Sequence, residues 1–307
     1  MNLLVGATGF IGGHLVEYLF QQGEISKGTF RKGAHLKVLD QSGVQLIESD
    51  LLDHHSLHEA AEGADVVFSL ASPMPGDGED FKKVNSEGLL NLLEVSQEMK
   101  VKSLVHLSTL DVLGFGAGEV TAENAPDPAG DYQTAKAGAE RLLMEHAKRN
   151  PMPRIVIIRA AKAVGPGEPS FINPALRMMA SGKVVVPRSR MMSWTHPRDI
   201  GQAMLKAALS SSASGRVYLL KSFDSTAEDL ARNLVGAVGS SASVGTAGVF
   251  SKSGVTPYAA DQVRASLRFQ DQASWNELPY RPEFDEKRTC EEIALWHKKE
   301  PWAAEAS

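Results

Sequence analysis

The chain has 307 residues, a net charge of −5 and 43% hydrophobic residues. This length allows one large α/β domain, or one domain with a smaller lobe. No basic excess and no long run of lysine or arginine is present, which argues against nucleic acid as a partner. The single cysteine, Cys290, excludes an internal disulfide and fits a reducing compartment.

No apolar run in the sequence is long enough to span a bilayer. The N-terminus is apolar but lacks the basic region of a signal peptide, and its glycines belong to a turn. We therefore expect a cytoplasmic protein without a membrane partner.

The first motif is the turn Gly6-Ala7-Thr8-Gly9-Phe10-Ile11-Gly12, which follows the short apolar run Leu3–Val5 and precedes a helical pattern. This order of strand, glycine turn and helix is typical of a site that holds a dinucleotide pyrophosphate at a helix N-terminus. Gly6 and Gly9 permit a tight turn and close backbone approach, and Gly12 lets the helix pack on the strand. The spacing is GxxGxxG rather than GxGxxG. The residues predicted to bind the cofactor here are Gly6, Thr8, Gly9, Phe10, Ile11 and Gly12.

Short apolar runs alternate with helical patterns up to about residue 160. The predicted strands are Leu3–Val5, Ile25–Phe30, Val44–Ile47, Val66–Leu70, Leu104–Leu107 and Ile155–Ile158. The predicted helices between them are His14–Gln22, Ser56–Glu62, Phe81–Met99 and Tyr132–Arg149. Apolar runs of this length are typical of buried parallel strands. The alternation predicts an α/β fold with a doubly wound parallel sheet, a Rossmann domain.

After residue 160 the pattern changes to glycines, prolines and short helices. We predict a dinucleotide-binding Rossmann domain over residues 1–160 and a small C-terminal, mainly substrate-binding lobe over 161–307. Within this part, residues from about 193 to 220 are expected to return to the Rossmann sheet, ending in a strand at Val217–Leu220. The helices expected here include Thr226–Val238 and Glu286–Lys299, and the Ser/Gly-rich stretch Gly239–Gly254 is expected to be a loop.

The catalytic candidates begin with Tyr132 and Lys136, which lie four residues apart at the start of a predicted helix. Residues at this spacing share a helix face, so the phenol and the ammonium can point into one site. A phenol has a pKa near 10, and a nearby ammonium and an oxidised nicotinamide both lower it. Tyr132 would then exchange protons near neutral pH, with Lys136 lowering its pKa. The alternative is a Tyr and a Lys that merely share an amphipathic face.

Ser108 and Thr109 end the fifth predicted strand. Hydroxyl groups at the carboxyl end of a parallel strand lie at the edge of the binding cleft. We expect at least one of them to hydrogen-bond a substrate oxygen, against the alternative that both satisfy local backbone groups.

Several motifs in order resemble the extended short-chain dehydrogenase/reductases, the superfamily of nucleotide-sugar epimerases, 3β-hydroxysteroid dehydrogenases and dihydroflavonol reductases. The resemblance covers nearly all of the chain. It is carried by Gly6–Gly12, Ser49-Asp50-Leu51, Leu70-Ala71-Ser72, Val84–Gly88, Leu107-Ser108-Thr109, Tyr132 with Lys136, Arg159 with Gly165-Pro166-Gly167, and His196-Pro197-Arg198-Asp199.

The resemblance implies roles for individual residues. Asp50 and Leu51 would contact the adenine, and Leu70, Ala71 and Ser72 would line the nicotinamide ribose and phosphates. Lys136 would also hold the ribose hydroxyls. Thr109, rather than Ser108, matches the catalytic Ser/Thr of the family. Members often dimerise through the helices that here are Phe81–Met99 and Tyr132–Arg149, so a homodimer is possible.

The choice of cofactor rests on Arg31 and Lys32, which follow the second predicted strand. A site that prefers NAD would carry an acid there to accept from the ribose 2′-hydroxyl. Two cations instead suit a 2′-phosphate, and Arg31 could also stack on the adenine. We therefore favour NADP over NAD, against the alternative that the pair is a solvated loop.

Three functions remain open for the chain. The first is an NADP-dependent oxidoreductase that interconverts a secondary alcohol and a ketone. The second is a nucleotide-sugar epimerase or dehydratase with tightly bound cofactor, and the third is a non-catalytic NADP-sensing protein. Ala160-Ala161-Lys162 and Leu113 depart from the epimerase pattern, although Lys162 could still meet a phosphate. A group of apolar residues could line a site for an apolar substrate, or could equally be core residues: Phe171, Ile172, Leu176, Met178, Met179, Met191, Met192 and Trp194. A group of arginines could instead bind a diphosphate: Arg177, Arg188, Arg190 and Arg198.

Overall fold

The structure is a computed structural model that describes residues 1–34, 36, 39, 43–73, 81–116, 118–247, 253–270 and 276–299. The strands are β1 (Asn2–Val5), β2 (Ser26–Phe30), β3 (Gln45–Glu48), β4 (Val66–Ser69), β5 (Ser103–Thr109), β6 (Glu119–Val120), β7 (Arg154–Ala160), β8 (Lys162–Ala163), β9 (Lys183–Pro187), β10 (Met192–Thr195), β11 (Arg216–Leu220), β12 (Phe223–Ser225), β13 (Ser243–Ala247) and β14 (Arg268–Phe269). The helices are α1 (Phe10–Gln21), α2 (His54–Ala61), α3 (Phe81–Lys83), α4 (Leu89–Glu98), α5 (Asp131–Arg149), α6 (Ile172–Ala180), α7 (Pro197–Leu209), α8 (Ala227–Val238), α9 (Pro257–Ala265) and α10 (Glu286–Lys299).

The central sheet has seven parallel strands in the order β11-β7-β5-β4-β1-β2-β3. Helices cover both of its faces, which confirms the predicted Rossmann fold. The strand order reverses between β1 and β4, where parallel sheets leave a crevice at their carboxyl ends. The glycine turn after β1 and the residues after β4 and β5 therefore border one crevice.

Apolar side chains pack on each face of this sheet. Helices α1 and α7 bury Leu15, Leu19 and Met204 on one face, and α2, α4 and α5 bury Leu57, Leu92 and Leu143 on the other. Strand β11 pairs with β7, so the chain returns to the sheet after residue 160. Among the described residues, no helix is both long and apolar enough to cross a membrane.

A second apolar core lies outside the sheet, between α6, β9, β10, α8, α9 and α10. It contains most of the residues that were predicted to line an apolar substrate site: Phe171, Ile172, Leu176, Met179, Met192 and Trp194 are all buried in it, and Met178 packs against it. Met191 is exposed. Of the two alternatives for these residues, the structure favours core residues over a substrate lining, because their apolar side chains form this second core.

Two segments differ from the predicted elements. The helix expected over Phe81–Met99 contains a π-helical turn at Val84–Gly88 between α3 and α4. The expected loop Gly239–Gly254 contains β13, which pairs in parallel with β9. Its residues Ser243–Ala247 alternate small and β-branched side chains that are mostly half-buried, so they carry no apolar run to mark the strand. Residues 248–252 of that segment lie outside the described part of the chain.

Candidate active site

The glycine turn is shaped by contacts that leave no room for side chains at two of its glycines. Gly6 has a φ of +95°, and a Cβ there would lie 2.7 Å from the backbone nitrogen of Ala71. A Cβ on Gly12 would lie 2.1 Å from the carbonyl oxygen of Gly6. These two glycines are thus required by the packing of β1, α1 and the segment after β4 against each other.

Gly9 is different, because a Cβ there would meet only the Gly6 oxygen, at an ordinary 3.5 Å. Gly9 precedes the first residue of α1 and provides no side-chain cap. The first N–H groups of a helix have no partner within the helix, and they attract anions together with the helix dipole. Thr8 and Gly9 are exposed beside this N-terminus. The residues therefore fit the pyrophosphate of a dinucleotide.

The carboxyl end of β2 lies next to this turn. The backbone N–H of Gly6 donates to the Thr29 hydroxyl of β2 at 3.2 Å. Arg31 and Lys32 follow β2 directly and are exposed. The sequence from Thr29 to Gly33 has no carboxylate. Two cations thus stand where the second strand reaches the crevice edge.

The predicted adenine residues follow β3. Asp50 is exposed, and its carboxylate accepts from the backbone N–H of Leu52 at 2.9 Å, which shapes the local turn. Leu51 is buried below Gly88 of the π-helical turn, where an added Cβ would lie 3.0 Å from the Leu51 Cβ. Asp50 can therefore contact a ligand from the surface, whereas Leu51 packs beneath it against the π-helical turn.

The segment Leu70-Ala71-Ser72 continues from β4 past the glycine turn. The N–H groups of Leu70 and Ala71 both donate to the Val5 carbonyl at 3.0 Å. Ser72 is half-buried, and the Asn85 amide donates to its hydroxyl at 3.3 Å. This segment therefore forms the side of the crevice opposite β2.

Tyr132 and Lys136 lie one turn apart on α5 beside β5. The Lys136 ammonium is buried and donates to the Leu107 carbonyl at 2.7 Å and to His106 Nε2 at 3.1 Å. An ammonium has only donors, so His106 accepts through Nε2 and carries its proton on Nδ1, which lies 3.1 Å from the Ser69 hydroxyl. Burial and the Lys136 charge hold the pKa of His106 well below its usual range. Burial lowers the pKa of Lys136 to about 8, against the opposing charge of Glu140.

Ser108 belongs to a buried network rather than to the cleft. Its hydroxyl donates to Glu140 Oε1 at 2.5 Å. The same carboxylate accepts from Arg159 Nε at 3.1 Å and from Arg159 Nη2 at 2.7 Å. All three residues are buried. Because this hydroxyl is engaged beneath α5, the structure does not favour Ser108 as a substrate-binding group.

Thr109 is half-buried at the last position of β5. Adjacent residues of a strand point to opposite faces, so its side chain is directed away from that of Ser108. Its hydroxyl oxygen accepts from the backbone N–H of Asp111 at 3.2 Å, which fixes the side chain while leaving the hydroxyl proton able to donate. Thr109 is thus the better of the two candidates for holding a substrate oxygen.

Four half-buried aromatic rings form a row through Tyr132. Phe81 and Tyr132 have ring centroids 5.9 Å apart, Tyr132 and Tyr258 are 5.3 Å apart, and Tyr258 and Phe115 are 6.1 Å apart. The first two contacts are edge-to-face, a favourable arrangement for aromatic pairs. We call Phe81, Tyr132, Tyr258 and Phe115 the aromatic row. It surrounds the Tyr132 ring with aromatic side chains.

The sequence did not reveal Asp111, Tyr258 and Gln262 as site residues. The Tyr258 hydroxyl and the Gln262 amide of α9 donate to Asp111 Oδ2 at 2.7 and 2.6 Å. Burial raises the pKa of Asp111. Tyr258 and Gln262 are separated from the catalytic motifs by more than a hundred residues and form no motif of their own. The one sequence signal for Asp111 as a site residue was its position two residues after Thr109.

Two of the cations that could have bound a diphosphate, Arg198 and Lys162, have other partners. Arg198 forms an ion pair with Glu292 at 3.4 Å and also donates to Gln21. Lys162 donates to the Ser170 hydroxyl at 3.0 Å and to the Gln262 side-chain oxygen at 3.2 Å. Both cations are therefore parts of the protein's own polar networks.

Comparisons with known proteins find a matching family and several similar proteins. A family model described as the NAD dependent epimerase/dehydratase family matches residues 2–220, and the match ends where β11 ends. Dihydroflavonol 4-reductase from Hordeum vulgare is 30% identical over an alignment of 268 positions, and the match covers 76% of this chain and 73% of that protein. A decarboxylating sterol-4-alpha-carboxylate 3-dehydrogenase from Candida albicans is 30% identical over an alignment of 224 positions. That match covers 67% of this chain and 63% of that protein, slightly less than two thirds of its length.

The fold also has solved counterparts. A crystal structure of UDP-glucose 4-epimerase superimposes with a TM-score of 0.84 and covers 98% of both chains at 19% identity. At that identity the likeness supports the fold alone.

Proposed function

The chain belongs to the NAD dependent epimerase/dehydratase family and is an enzyme of that superfamily, and from this premise we propose that it is an NADP-dependent oxidoreductase. The proposed reaction interconverts an apolar secondary alcohol and its ketone. The aromatic row supports this substrate class most directly, since aromatic and apolar side chains around a few polar groups are typical of sites for such ligands. Relatives whose names refer to flavonols and sterols support it as well.

The positions of three side chains support the following catalytic roles. A nicotinamide cofactor, when bound, supplies or accepts the hydride. Tyr132 donates its phenol proton to the ketone oxygen in reduction and accepts a proton from the alcohol in oxidation. The Lys136 ammonium, one helical turn away, stabilises the phenolate. Thr109, fixed by its bond from the Asp111 backbone, donates its hydroxyl proton to the same substrate oxygen.

Arg31 and Lys32 support NADP as the cofactor, because they are exposed cations after β2 and the sequence from Thr29 to Gly33 contains no carboxylate. We expect calorimetry to give tighter binding of NADPH than of NADH. Arg31→Ala should weaken NADPH binding about 10- to 100-fold, the worth of one hydrogen bond to a charged group, and leave NADH binding unchanged. The matched control is Lys148→Ala, which removes an exposed cation near the C-terminal end of α5. Tighter binding of NADH, or equal effects of Arg31→Ala on both cofactors, would refute the NADP assignment.

The reaction itself is tested by mixing the protein and NADPH with a panel of aromatic and alicyclic ketones. We expect stoichiometric loss of NADPH with at least one ketone, and none with Tyr132→Phe, which should still bind NADPH. A nucleotide-sugar epimerase would instead return its hydride and consume no added cofactor. Conversion of a nucleotide sugar without net NADPH loss would therefore overturn the oxidoreductase proposal.

A further inference from the structure

A buried histidine of β5 connects Lys136 to the end of β4. His106 is 2% exposed, and its backbone is directly opposite Ser69 of β4 in the parallel register. Its Nδ1 atom lies 3.1 Å from the Ser69 hydroxyl, and its Nε2 atom lies 3.1 Å from the Lys136 ammonium of α5. Ser69 and Lys136 are buried as well. The three side chains therefore form one buried series of hydrogen bonds that joins two strands and a helix.

The direction of these hydrogen bonds follows from the chemistry of lysine. An ammonium can only donate, so Nε2 of His106 accepts, and the Nδ1–H group donates to the Ser69 oxygen. Only a neutral imidazole can act in this way, and burial together with the Lys136 charge holds the pKa of His106 well below its usual range. His106 is therefore an acceptor for Lys136 near neutral pH rather than a second cation beside it.

The two acceptors of Lys136 determine what its ammonium can still bind. The ammonium donates to the Leu107 carbonyl at 2.7 Å and to His106, and these are its acceptors within the described part of the chain. An ammonium has three N–H groups, so one of them remains for a ligand. A lysine stem is flexible, and two fixed acceptors restrict where the ammonium lies before a ligand arrives. This restriction lowers the entropy cost of binding.

Ser69 connects this series of hydrogen bonds to the crevice. It ends β4 and immediately precedes Leu70-Ala71-Ser72, the segment that borders the crevice opposite β2. The rigid ring of His106 lies between Ser69 and Lys136 and therefore sets the distance between the ammonium and the start of this segment. An apolar side chain at position 106 would leave the buried ammonium with the Leu107 carbonyl as its acceptor.

We propose that His106 is a positioning residue, whose neutral imidazole, held by Ser69, fixes the Lys136 ammonium for the ribose of the bound cofactor. The inference rests on the proposed oxidoreductase function, in which Lys136 binds this ribose and stabilises the Tyr132 phenolate. In this role His106 acts through Lys136 and contacts neither substrate nor cofactor. It keeps its Nδ1 proton throughout, so the hydride and the proton still move between cofactor, substrate and Tyr132.

The hydrogen bonds of His106 are tested directly in the ligand-free protein. Nitrogen-15 NMR of protein labelled at histidine distinguishes the two ring nitrogens. At about pH 7, below the pKa of Lys136, we expect His106 to carry a proton on Nδ1 and none on Nε2. The His106 signals are assigned by their loss in His106→Gln. A proton on Nε2, alone or in a doubly protonated ring, would remove the acceptor for Lys136 and overturn the proposal.

NADPH binding tests whether this acceptor matters for the cofactor. His106→Leu removes the acceptor, and we expect calorimetry to show NADPH binding weaker by about tenfold, the effect of losing one hydrogen bond. His106→Gln retains an acceptor oxygen near the position of Nε2 and should weaken binding by about threefold at most. The control His146→Leu removes a half-buried histidine from the C-terminal half of α5, roughly 15 Å along the helix from Lys136. It should bind NADPH as the wild-type protein does.

A double variant distinguishes the positioning of Lys136 from a general role in folding. In the Lys136→Met background the ammonium is absent, so His106→Leu should not weaken NADPH binding further. A merely structural role of His106 would weaken binding equally in both backgrounds. Ser69→Ala removes the oxygen that holds His106 and should weaken NADPH binding by less than His106→Leu. It provides the test if His106→Leu does not fold.

The possible results separate the two proposals. Failure of NADPH to bind the wild-type protein contradicts the proposed function. If the wild-type protein binds NADPH, the role of His106 is overturned when His106→Leu binds as tightly as wild type, or when its effect persists in the Lys136→Met background. It is also overturned when His106→Gln binds no more tightly than His106→Leu. If His106→Leu is unfolded, unchanged NADPH binding by Ser69→Ala overturns it equally, and each of these results leaves the proposed function intact.

Discussion

The buried pair Glu140–Arg159 allows a quantitative prediction of stability. Both side chains are almost fully buried, with 4% and 6% exposed, and are joined by a bidentate contact. Glu140→Gln keeps the length of the side chain but removes its charge. The guanidinium cannot lose its proton in a protein, so Arg159 would remain charged in the interior without a counterion. Breaking such a pair costs about 3–5 kcal/mol of the free energy of unfolding.

The control is the exposed pair Glu228–Arg232, whose members lie four residues apart on α8. Glu228→Gln should cost at most about 0.5 kcal/mol, because solvent screens the two charges. The free energies are obtained from urea unfolding followed by circular dichroism, at equal ionic strength. Glu140→Gln should therefore lower stability several-fold more than Glu228→Gln.

A double variant tests whether the unpaired charge of Arg159 causes the loss of stability. Glu140→Gln combined with Arg159→Met removes the unpaired guanidinium and should recover most of the lost stability. The reasoning is refuted if Glu140→Gln is no more destabilising than Glu228→Gln, or if the double variant is no more stable than Glu140→Gln alone.

Two further predictions concern the glycine turn and a buried carboxyl group. Gly12→Ala should destabilise the protein by about 3 kcal/mol or more and abolish NADPH binding in calorimetry, since its Cβ would lie 2.1 Å from the Gly6 oxygen. Gly138→Ala, at an open helical position, should instead stabilise it by about 0.5–1 kcal/mol; equal melting temperatures for the two variants would contradict this account. Burial raises the pKa of Asp199 to about 6, so the folded protein keeps a proton that the unfolded chain loses near pH 4. The contribution of Asp199 to stability should fall by about 3 kcal/mol as the pH rises between these values. In urea titrations, the stability of wild type relative to Asp199→Asn should fall over this range, and a constant difference between the two proteins would disprove the account.

The sequence pattern was sufficient to predict the Rossmann sheet, because buried parallel strands carry continuous apolar runs that differ clearly from amphipathic helices. Tyr132 and Lys136 were recognisable for a similarly local reason, their four-residue spacing at a helix start. On the same basis Glu140 could have been predicted to lie on the helix face of Tyr132 and Lys136, because it follows Lys136 by four residues.

Other features depended on contacts between distant parts of the chain. Only the family resemblance favoured Thr109 over Ser108, because both are short hydroxyl side chains in a strand that is covered on both faces and their residue types do not separate them. Asp111 acquires its environment only from Tyr258 and Gln262 of α9, and neither residue has a local signature. The Met-rich segment was ambiguous for a related reason. The sequence pattern of an apolar helix face is the same whether that face contacts a substrate or packs in a core.

The assignment of residues 1–160 as a separate domain remains a prediction, and the position of β11 bears on how it could be used. Strand β11 completes the sheet beside β7, although residues 161–215 separate the two in sequence. A fragment ending at residue 160 would keep the pairing of β7 with β5 but leave unpaired the backbone N–H and C=O groups of β7 that face β11, so that the apolar run Ile155–Ile158 would lie in an edge strand. Such edges promote aggregation, and distant strand pairing slows folding. Residue 220, where β11 ends, is therefore a safer boundary than residue 160 for any shortened form of the protein.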